Sequence, residues 1–223
     1  MSPYNYCAWN PVKLVDPDGE DTLVFDKKGN FTHTIPAKGE HVGRYEQSSG
    51  SPITFTFAAP INDPQSIKRG EIKKVQRMKR GEINKILDNS KVFDQKPFLY
   101  ISKLLYLHNH SNSTKNGGEL DYLIYAHLDP GTIYLVERVF SEGHCGHNAY
   151  NFGNFLCGAS AEIIGCPLSN ALLGAHLNNY ISDCENAGKK WYERKLDSRD
   201  DQHSIMQGYL WAFRYAKKPP NRK

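Results

Sequence analysis

The amino-acid sequence predicts an α+β fold in which N-terminal β-hairpins are followed by a mainly helical C-terminal third. Two patterns carry this prediction. Segments before residue 60 and around residue 130 have strand composition and flank turn sequences, whereas apolar residues after residue 150 recur at the spacing of an α-helix. Strands early in the chain and helices late are typical of the α+β class.

The first expected element is a β-hairpin. Asp21–Asp26 and Phe31–Ile35 have strand composition and are joined by Lys27–Asn30, which contains a glycine. Residues 36–52 are rich in glycine and serine and are expected to form a loop. Ile53–Phe57 alternates as another short strand.

The next segments are less regular. Residues 58–66 contain two prolines and predict a turn or linker. Residues 67–90 predict one or two helices, interrupted near Gly70 and Gly81. Residues 98–108 are apolar and are compatible with a strand or a helix.

The strongest hairpin pattern of the chain lies between residues 121 and 140. Asp121–Leu128 and Thr132–Phe140, both rich in apolar and aromatic residues, flank Asp129–Gly131, a turn sequence. This pairing would place Glu137 on an apolar sheet face, where a carboxylate is costly unless paired and its pKa should rise. Glu137 is therefore a candidate catalytic acid or base. The alternative is that this end of the strand is solvated or that Glu137 pairs with a lysine.

The last third predicts three helices. The first carries apolar residues at helical spacing and ends at Gly165. Pro167 suits the first turn of the second helix, and the third is expected from about residue 202 to 216. The apolar positions that define the first helix are Phe152, Phe155, Leu156, Ala159 and Ile163.

Composition narrows the class of protein. The 223 residues are 39% hydrophobic and 23% charged, which suits a globular chain with a substantial core. Apolar runs stay well short of the roughly 20 residues of a membrane-spanning helix, so we expect no membrane insertion. The first residues lack the pattern of a signal peptide. The five cysteines are odd in number and show no CxxC pair, which favours free thiols over a disulfide framework.

The net charge of +4 is unevenly distributed. Residues 68–96 and residues 189–223 each carry ten basic and four acidic residues, and the rest of the chain has a net charge of −8. The two basic segments are either solvated helix faces or a surface for a polyanion such as nucleic acid. Lys190 and Arg194 of the second segment are candidate substrate-binding residues under the second interpretation.

The segment Pro11–Gly19, with the sequence PVKLVDPDG, resembles the C-terminal end of an Rhs repeat-associated core. Glu20 stands where that family usually has leucine. In such proteins this motif separates a shell from a variable C-terminal toxin. The resemblance implies that residues 1–20 are a remnant of the carrier and that residues 21–223 are the toxin domain, with a β-rich segment up to residue 66 and a catalytic region from residue 67. It also implies that the Rhs shell and a secretion apparatus are partners.

A second resemblance covers about 65 residues. The chain is similar to the polymorphic toxin type 44 domain in three motifs, with aspartate usual at the position of Asn151. That family consists of toxins predicted to be enzymes, mostly nucleases, and a cognate immunity protein is an implied partner. The matching motifs are HNAYNFGNFLCG at His147–Gly158, GAHLNN at Gly174–Asn179 and DSRDDQ at Asp197–Gln202, followed by Gly208.

Within these motifs, several residue types fit acid–base chemistry. His147 is a candidate acid or base, or a hydrogen-bond partner for the start of the first helix. Asn151 and Asn154, three residues apart, would share one helix face and either cap the helix or orient a substrate. His176 is by default a core histidine and otherwise a substrate ligand. Zinc ligation by the His144–His147 segment is a minor alternative, because no second pair of ligands stands at the usual spacing.

The acidic segment before the third helix has two interpretations. Ser198 and Asp201 fit a capping box, and carboxylates stabilise a helix N-terminus. Alternatively, Asp197 and Asp201 are catalytic, acting as an acid–base pair or binding a divalent metal. No other cofactor is expected.

These observations lead to three functional hypotheses. The leading one is an antibacterial toxin delivered into a neighbouring bacterial cell, where it acts as a nuclease on RNA, because RNA cleavage needs only an acid, a base and a cation near the phosphate. The second is a peptidoglycan hydrolase acting in the target periplasm, since paired carboxylates also cleave glycosidic bonds. The third is a non-enzymatic binding or carrier module.

Overall fold

The computed structural model describes residues 21–37, 39–94, 122–182, 189–191 and 193–216. Within these ranges the chain forms strands β1 (Asp21–Phe25), β2 (Phe31–Pro36), β3 (Val42–Tyr45), β4 (Ile53–Phe57), β5 (Lys74–Arg77), β6 (Thr132–Glu137) and β7 (His144–His147). The helices are α1 (Asn62–Lys68), α2 (Arg80–Asn89), α3 (Tyr122–Tyr125), α4 (Ala149–Ile163), α5 (Leu168–Ser182) and α6 (Arg199–Tyr215). The fold is α+β, as predicted.

All seven strands belong to one curled sheet, in the order β2-β1-β3-β4-β7-β6-β5. The pairs β1–β2, β3–β4 and β6–β7 are antiparallel, and the pairs β1–β3, β4–β7 and β5–β6 are parallel. The two edge strands meet at one point, where a bridge joins Asn30 to Lys74 and the Val75 N–H donates to the Gly29 carbonyl at 2.7 Å. Gly29 has a φ of +83°, and a methyl group there would lie 2.2 Å from the Val75 oxygen, so the closure requires glycine.

The curled sheet separates two apolar cores. The residues enclosed by the curl come mainly from β1, β4, β5 and β6, and Phe25 and Phe55 are among the largest. The other core lies between the outer face of the sheet and the helices, around Phe152, Phe155 and Trp211. Alternation along β6 serves both cores: Ile133 and Leu135 face the first, while Tyr134 and Val136 face the second.

Helices α4 and α6 cross at backbone contact. A methyl group on Gly158 would lie 2.0 Å from the carbonyl oxygen of Ile205, and one on Gly208 would lie 1.8 Å from that of Phe155. The absence of a side chain at Gly158 and at Gly208 therefore allows this close packing. The crossing fixes the N-terminal turn of α6 beside α4.

Several predicted elements are confirmed. The first hairpin is β1–β2, Ile53–Phe57 is β4, and the helical pattern of the last third is α4, α5 and α6. Gly165 follows α4 with a φ of +80°, which explains the glycine at that helix end. Every helix in the described ranges is too short or too polar to cross a membrane.

The hairpin predicted for residues 121–140 is wrong. Tyr122–Tyr125 forms α3, and β6 pairs with β5 and β7 instead. The segment from residue 122 to 128 is apolar at nearly every position, so its pattern does not distinguish a strand from a buried helical turn. Tyr122 decides between them, because its buried hydroxyl is hydrogen-bonded to Ser90 Oγ at 2.8 Å and Ser160 Oγ at 2.6 Å.

Three other segments differ from expectation. The predicted loop at 36–52 contains β3, the predicted linker at 58–66 contains most of α1, and the helical segment 67–90 contains β5 before α2. Each of the first two missed elements is short and lies in a stretch with loop composition. The apolar segment 98–108 and the Rhs-like residues 1–20 lie outside the described residues.

Candidate active site

Glu137 does not lie on a buried apolar face, so that prediction is wrong. It is the last residue of β6, where its side chain is half exposed and forms a salt bridge with Arg80 at 2.8 Å. The Arg80 guanidinium also lies over the Tyr215 ring, 3.8 Å from its centroid. The strand ends at the surface, and an arginine of α2 supplies the partner. Arg80 therefore links α2 to Glu137 of β6 and to Tyr215 of α6 at the surface.

His147 is an interior residue. It is 1% exposed, its Nδ1 lies 3.1 Å from Ser204 Oγ, and its ring centroid lies 5.4 Å from that of Phe155. Burial, with a smaller effect of the nearby His203, lowers the pKa of His147 to about 3, so the ring is neutral at physiological pH. This geometry matches a hydrogen-bonded core histidine.

The asparagines of α4 connect neighbouring elements. Asn148 caps the helix, since its Oδ1 accepts a hydrogen bond from the Asn151 N–H at 2.9 Å. Asn151 is itself buried. One turn further, Asn154 Nδ2 donates to Asp201 Oδ1 at 2.7 Å and joins α4 to α6. The two predicted asparagines thus lie at the start of one helix, while Glu137 lies at the far end of β6.

The capping role predicted for Ser198 is confirmed. Ser198 Oγ accepts a hydrogen bond from the Asp201 N–H at 3.1 Å and donates to Asp201 Oδ2 at 2.5 Å. Asp197 accepts a hydrogen bond from Gln202 Nε2 at 2.6 Å. Burial, reinforced by the charge of Asp201, raises the pKa of Asp197 to about 6. The predicted pair Asp197 and Asp201 is therefore together, at the start of α6.

Asp63, which the sequence analysis did not single out, is a carboxylic acid in an unusual buried environment. Asp63, in the first turn of α1, is 2% exposed. Its Oδ1 accepts a hydrogen bond from Asn148 Nδ2 at 2.7 Å, while its Oδ2 is buried without a hydrogen-bond partner. Burial raises the pKa of Asp63 to about 7, and the charge of Asp200 contributes, although hydrogen bonds from Asn148 and Ala59 oppose the rise. A carboxyl group in this state exchanges a proton near neutral pH.

His203 and Arg138 belong to the same region. His203 follows Asp200 by three residues, so the two share a face of α6, and each affects the pKa of the other. Partial desolvation and the charge of Arg138 lower the pKa of His203, whose side chain remains exposed. Arg138 follows β6 and donates to Thr56 Oγ1 on β4. We call Asp63, Arg138, Asn148, Asp200 and His203 the Asp63 cluster.

The Asp63 cluster combines three chemical functions. Asp63 can give or take a proton near neutral pH, and a neutral His203 can accept one. Arg138 provides a cation with the fork geometry that suits a phosphate or carboxylate. The cluster therefore has the groups needed for hydrolysis or phosphoryl transfer by acid–base catalysis.

Cysteine and zinc chemistry find little support in the described residues. Burial raises the pKa of the Cys145 thiol to about 11, so it stays protonated at physiological pH. Successive residues of a strand face opposite sides, so His144 and His147 of β7 point away from each other. Among the described residues, no three His, Cys, Asp or Glu side chains are grouped as metal ligands.

The predicted substrate-binding residues lie elsewhere. Arg194 Nη1 donates to the Tyr180 carbonyl at 3.1 Å near the end of α5, and the Lys190 N–H donates to Glu193 Oε2 at 3.1 Å. His176, on α5, has a buried Nδ1 without a hydrogen-bond partner. None of these contacts reaches the Asp63 cluster, and a role for the three residues in substrate binding stays a prediction.

Comparison of the chain with protein-family models, with curated proteins and with solved structures gives no match. The assignment of the candidate site therefore rests on the geometry of the Asp63 cluster alone. The sequence alone could have placed Asp200 and His203 together, because they have the three-residue spacing of one helix face. Asp63 gave no comparable signal, since its partner Asn148 is 85 residues away in the chain.

Proposed function

We propose that this chain is the toxin domain of an Rhs-type effector and that it is a hydrolase that cleaves RNA in a target bacterial cell. The two motif resemblances support the toxin assignment. The observation that carries the catalytic assignment is the buried Asp63 carboxyl, with a pKa of about 7 and one unpartnered oxygen, in a cluster with His203 and Arg138.

The proposed roles follow from the protonation states. RNA cleavage requires a base that takes the proton of the 2′-hydroxyl and an acid that protonates the 5′-oxygen of the leaving group. His203 is neutral at physiological pH and acts as the base, while the protonated fraction of Asp63 acts as the acid. Arg138 binds the phosphate and stabilises its developing negative charge. Asn148 orients Asp63 through its 2.7 Å hydrogen bond.

Purified protein incubated with total RNA and with plasmid DNA tests this proposal, each with Mg²⁺ or with EDTA. We expect RNA to be cleaved and Asp63→Asn and His203→Gln each to reduce the rate at least 100-fold, since a positioned acid or base contributes roughly 10²–10⁴. Asp88→Asn and His33→Gln are matched controls at exposed positions outside the cluster. Intact RNA in both buffers, or cleavage that survives both cluster substitutions, would overturn the assignment.

The Asp63–Asp200 pair favours one alternative reaction. Two carboxyl groups with different protonation states are also the machinery of glycosidases. Burial raises the pKa of both groups here, the charge of Asp200 adds to the rise at Asp63, and the charge of Asp201 adds to the rise at Asp200. Under this alternative, the protein would release muropeptides from purified sacculi and would be toxic only when directed to the periplasm. Toxicity that is insensitive to substitution of Asp63 and His203 would instead favour a non-enzymatic binding module. In either enzymatic case a cognate immunity protein is the expected partner.

A further inference from the structure

A surface cleft of about 500 Å³ lies where the curled sheet closes, along β5. Its walls come from β5, from the turn between β1 and β2, and from the loop after β3 that carries Gln47, Ser48 and Ser49. Arg77 Nη1 donates to Gln47 Oε1 at 3.0 Å, which connects two of these walls. The cleft shares no residue with the Asp63 cluster.

The cleft is lined by four basic side chains, Lys28, Lys74, Arg77 and Lys79. All four residues are exposed, and none forms a salt bridge with a carboxylate within the described part of the chain. Three of them belong to the basic segment 68–96 that the sequence pattern singled out. Lys74 and Arg77 are three residues apart on the edge strand β5, so they line the cleft from opposite faces of that strand, with their Cα atoms about 10 Å apart.

The carboxylates in and beside the cleft accept hydrogen bonds from backbone amides rather than pairing with the four cations. Glu82, the one acidic residue among the described lining residues, accepts a hydrogen bond from the Lys79 N–H at 2.7 Å. Asp26 and Asp129 lie near Lys28 and Lys74, but each accepts hydrogen bonds from backbone amides of its own turn. The cations of the cleft are therefore directed to solvent and to any anion that enters.

We propose that this cleft binds the sugar–phosphate backbone of a single-stranded nucleic acid. Several cations spaced along a groove, together with hydroxyl and amide groups, provide the contacts that nucleic-acid backbones receive from proteins. Tyr45 adds one partly buried aromatic ring, on which a base can stack. Protein interfaces usually have an apolar or aromatic centre, whereas this lining is mainly polar and charged. A volume of about 500 Å³ holds a short stretch of single strand rather than a duplex.

This inference deepens the proposed function and rests on it for its biological role. The cleft holds the RNA strand at a distance from the bond that is cut, and the Asp63 cluster performs the chemistry. Backbone contacts carry no sequence information, so the cleft adds affinity without sequence preference.

The experiment measures binding of a fluorescent 12-nucleotide RNA with 2′-O-methyl groups, which removes the hydroxyl that cleavage requires. Fluorescence anisotropy at several salt concentrations gives the Kd and its salt dependence, and a DNA strand of the same sequence is measured in parallel. The variants are Lys74→Ala, Lys79→Ala and the triple variant Lys74→Ala/Arg77→Ala/Lys79→Ala. Lys85→Ala, an exposed lysine of α2 outside the cleft, is the matched control.

We expect each cation removed to weaken binding roughly fivefold at about 0.1 M salt and to reduce the slope of log K against log salt by about 0.7. The triple variant should lose roughly 100-fold, and Lys85→Ala should bind as the unmodified protein does. If the triple variant does not fold, the single variants Lys74→Ala and Lys79→Ala, both at exposed positions, still test the inference.

Three results overturn the inference: no binding by the unmodified protein, unchanged binding by the triple variant, or equally tight cleft-dependent binding of poly-glutamate, which would assign the cleft to an acidic protein. Cleavage assays keep this inference separate from the proposed function. RNA cleavage without cleft-dependent binding would refute the cleft alone, and cleft-dependent binding without cleavage would refute the catalytic assignment alone.

Discussion

The substitution Asp63→Asn should change how the stability of the protein depends on pH. In the folded protein the pKa of Asp63 is raised to about 7, mainly by burial, whereas the unfolded chain should have the ordinary value of 3.8. Between these two values the folded state binds more protons than the unfolded state. The free energy of unfolding therefore falls as the pH rises from about 4 to about 7, and this loss is absent when asparagine replaces the carboxyl group.

The size of the effect follows from the two pKa values. Each pKa unit corresponds to about 1.4 kcal/mol, so ionising Asp63 in the folded protein costs about 4 kcal/mol at pH 8. At that pH the Asp63→Asn variant should be more stable than the unmodified protein by up to this amount. At pH 4 the two should be nearly equal, because asparagine resembles the protonated acid and can still accept the hydrogen bond from Asn148. The effect is large beside a total stability of roughly 5–15 kcal/mol.

Urea unfolding followed by tryptophan fluorescence at pH 4, 5, 6, 7 and 8 measures this difference, and Trp211, which is fully buried, provides a signal. Asp88→Asn, at an exposed position on α2, controls for the general effect of removing one negative charge. The quantity of interest is the difference between variant and unmodified protein at each pH. A difference that stays constant from pH 4 to pH 8 would refute the assignment of a raised pKa to Asp63.

The remaining predictions concern packing, a buried histidine and a helix cap. Gly208→Ala should lower the free energy of unfolding by about 3 kcal/mol or more, because its methyl group would lie 1.8 Å from the Phe155 oxygen. Gly81→Ala is the control: Gly81 has open space around it in α2, so this variant should be neutral or more stable by up to about 1 kcal/mol. Thermal unfolding of the two variants measures the difference. The ring of His147, whose pKa is lowered to about 3, should show no NMR titration between pH 5 and 8, and its contribution to stability, present above pH 6.5, should be lost as the pH falls toward 3. A titration midpoint near 6.5 would contradict its burial. Ser198→Ala should cost about 1 kcal/mol through loss of the cap of α6, and an unchanged urea midpoint would mean that the Asp201 N–H finds another acceptor.

The elements predictable from sequence are those in which one local pattern dominates. The β1–β2 hairpin has strand composition on both sides of a turn that contains Gly29, and α4 carries apolar residues at helical spacing up to a glycine stop. Strand β3 gave no such signal, because it is four residues long and needs Gly43, whose missing side chain leaves room for the Phe55 ring. The misassignment around residue 122 has a different cause. A nearly continuous apolar run fits two periodicities, and the hydrogen bonds of Tyr122 that select the helix come from distant residues.

The candidate site was partly predictable for the same reason. Capping by Ser198 and the proximity of Asp197 to Asp201 follow from local spacing, and the structure contains both. The interior position of His147 depends on Ser204 and Phe155, and the burial of Asp63 depends on Asn148. Such environments arise only when separate segments pack, so a single sequence does not reveal them. Glu137 was wrongly predicted to be buried for a related reason. The pattern along a strand shows which face a residue lies on, but not whether that end of the strand is exposed, as it is at Glu137.

The structure gives an architectural role to several residues of the segments that resemble the type 44 domain. Gly158 and Gly208 allow two helix backbones to touch, and Ser198 and Asp201 cap α6 and join it to Asn154. These roles suffice to account for such residues without catalysis. Asp200 differs, because its side chain makes no hydrogen bond or salt bridge to another described residue, yet its charge raises the pKa of the buried Asp63. As a carboxylate in the first turn of α6, Asp200 favours the helix N-terminus, but it disfavours the ionised form of Asp63. Its position beside Asp63 and His203 is also the one that the proposed chemistry of the Asp63 cluster requires, so Asp200→Asn separates the two roles: it should lower the pKa of Asp63 whether or not RNA is cleaved.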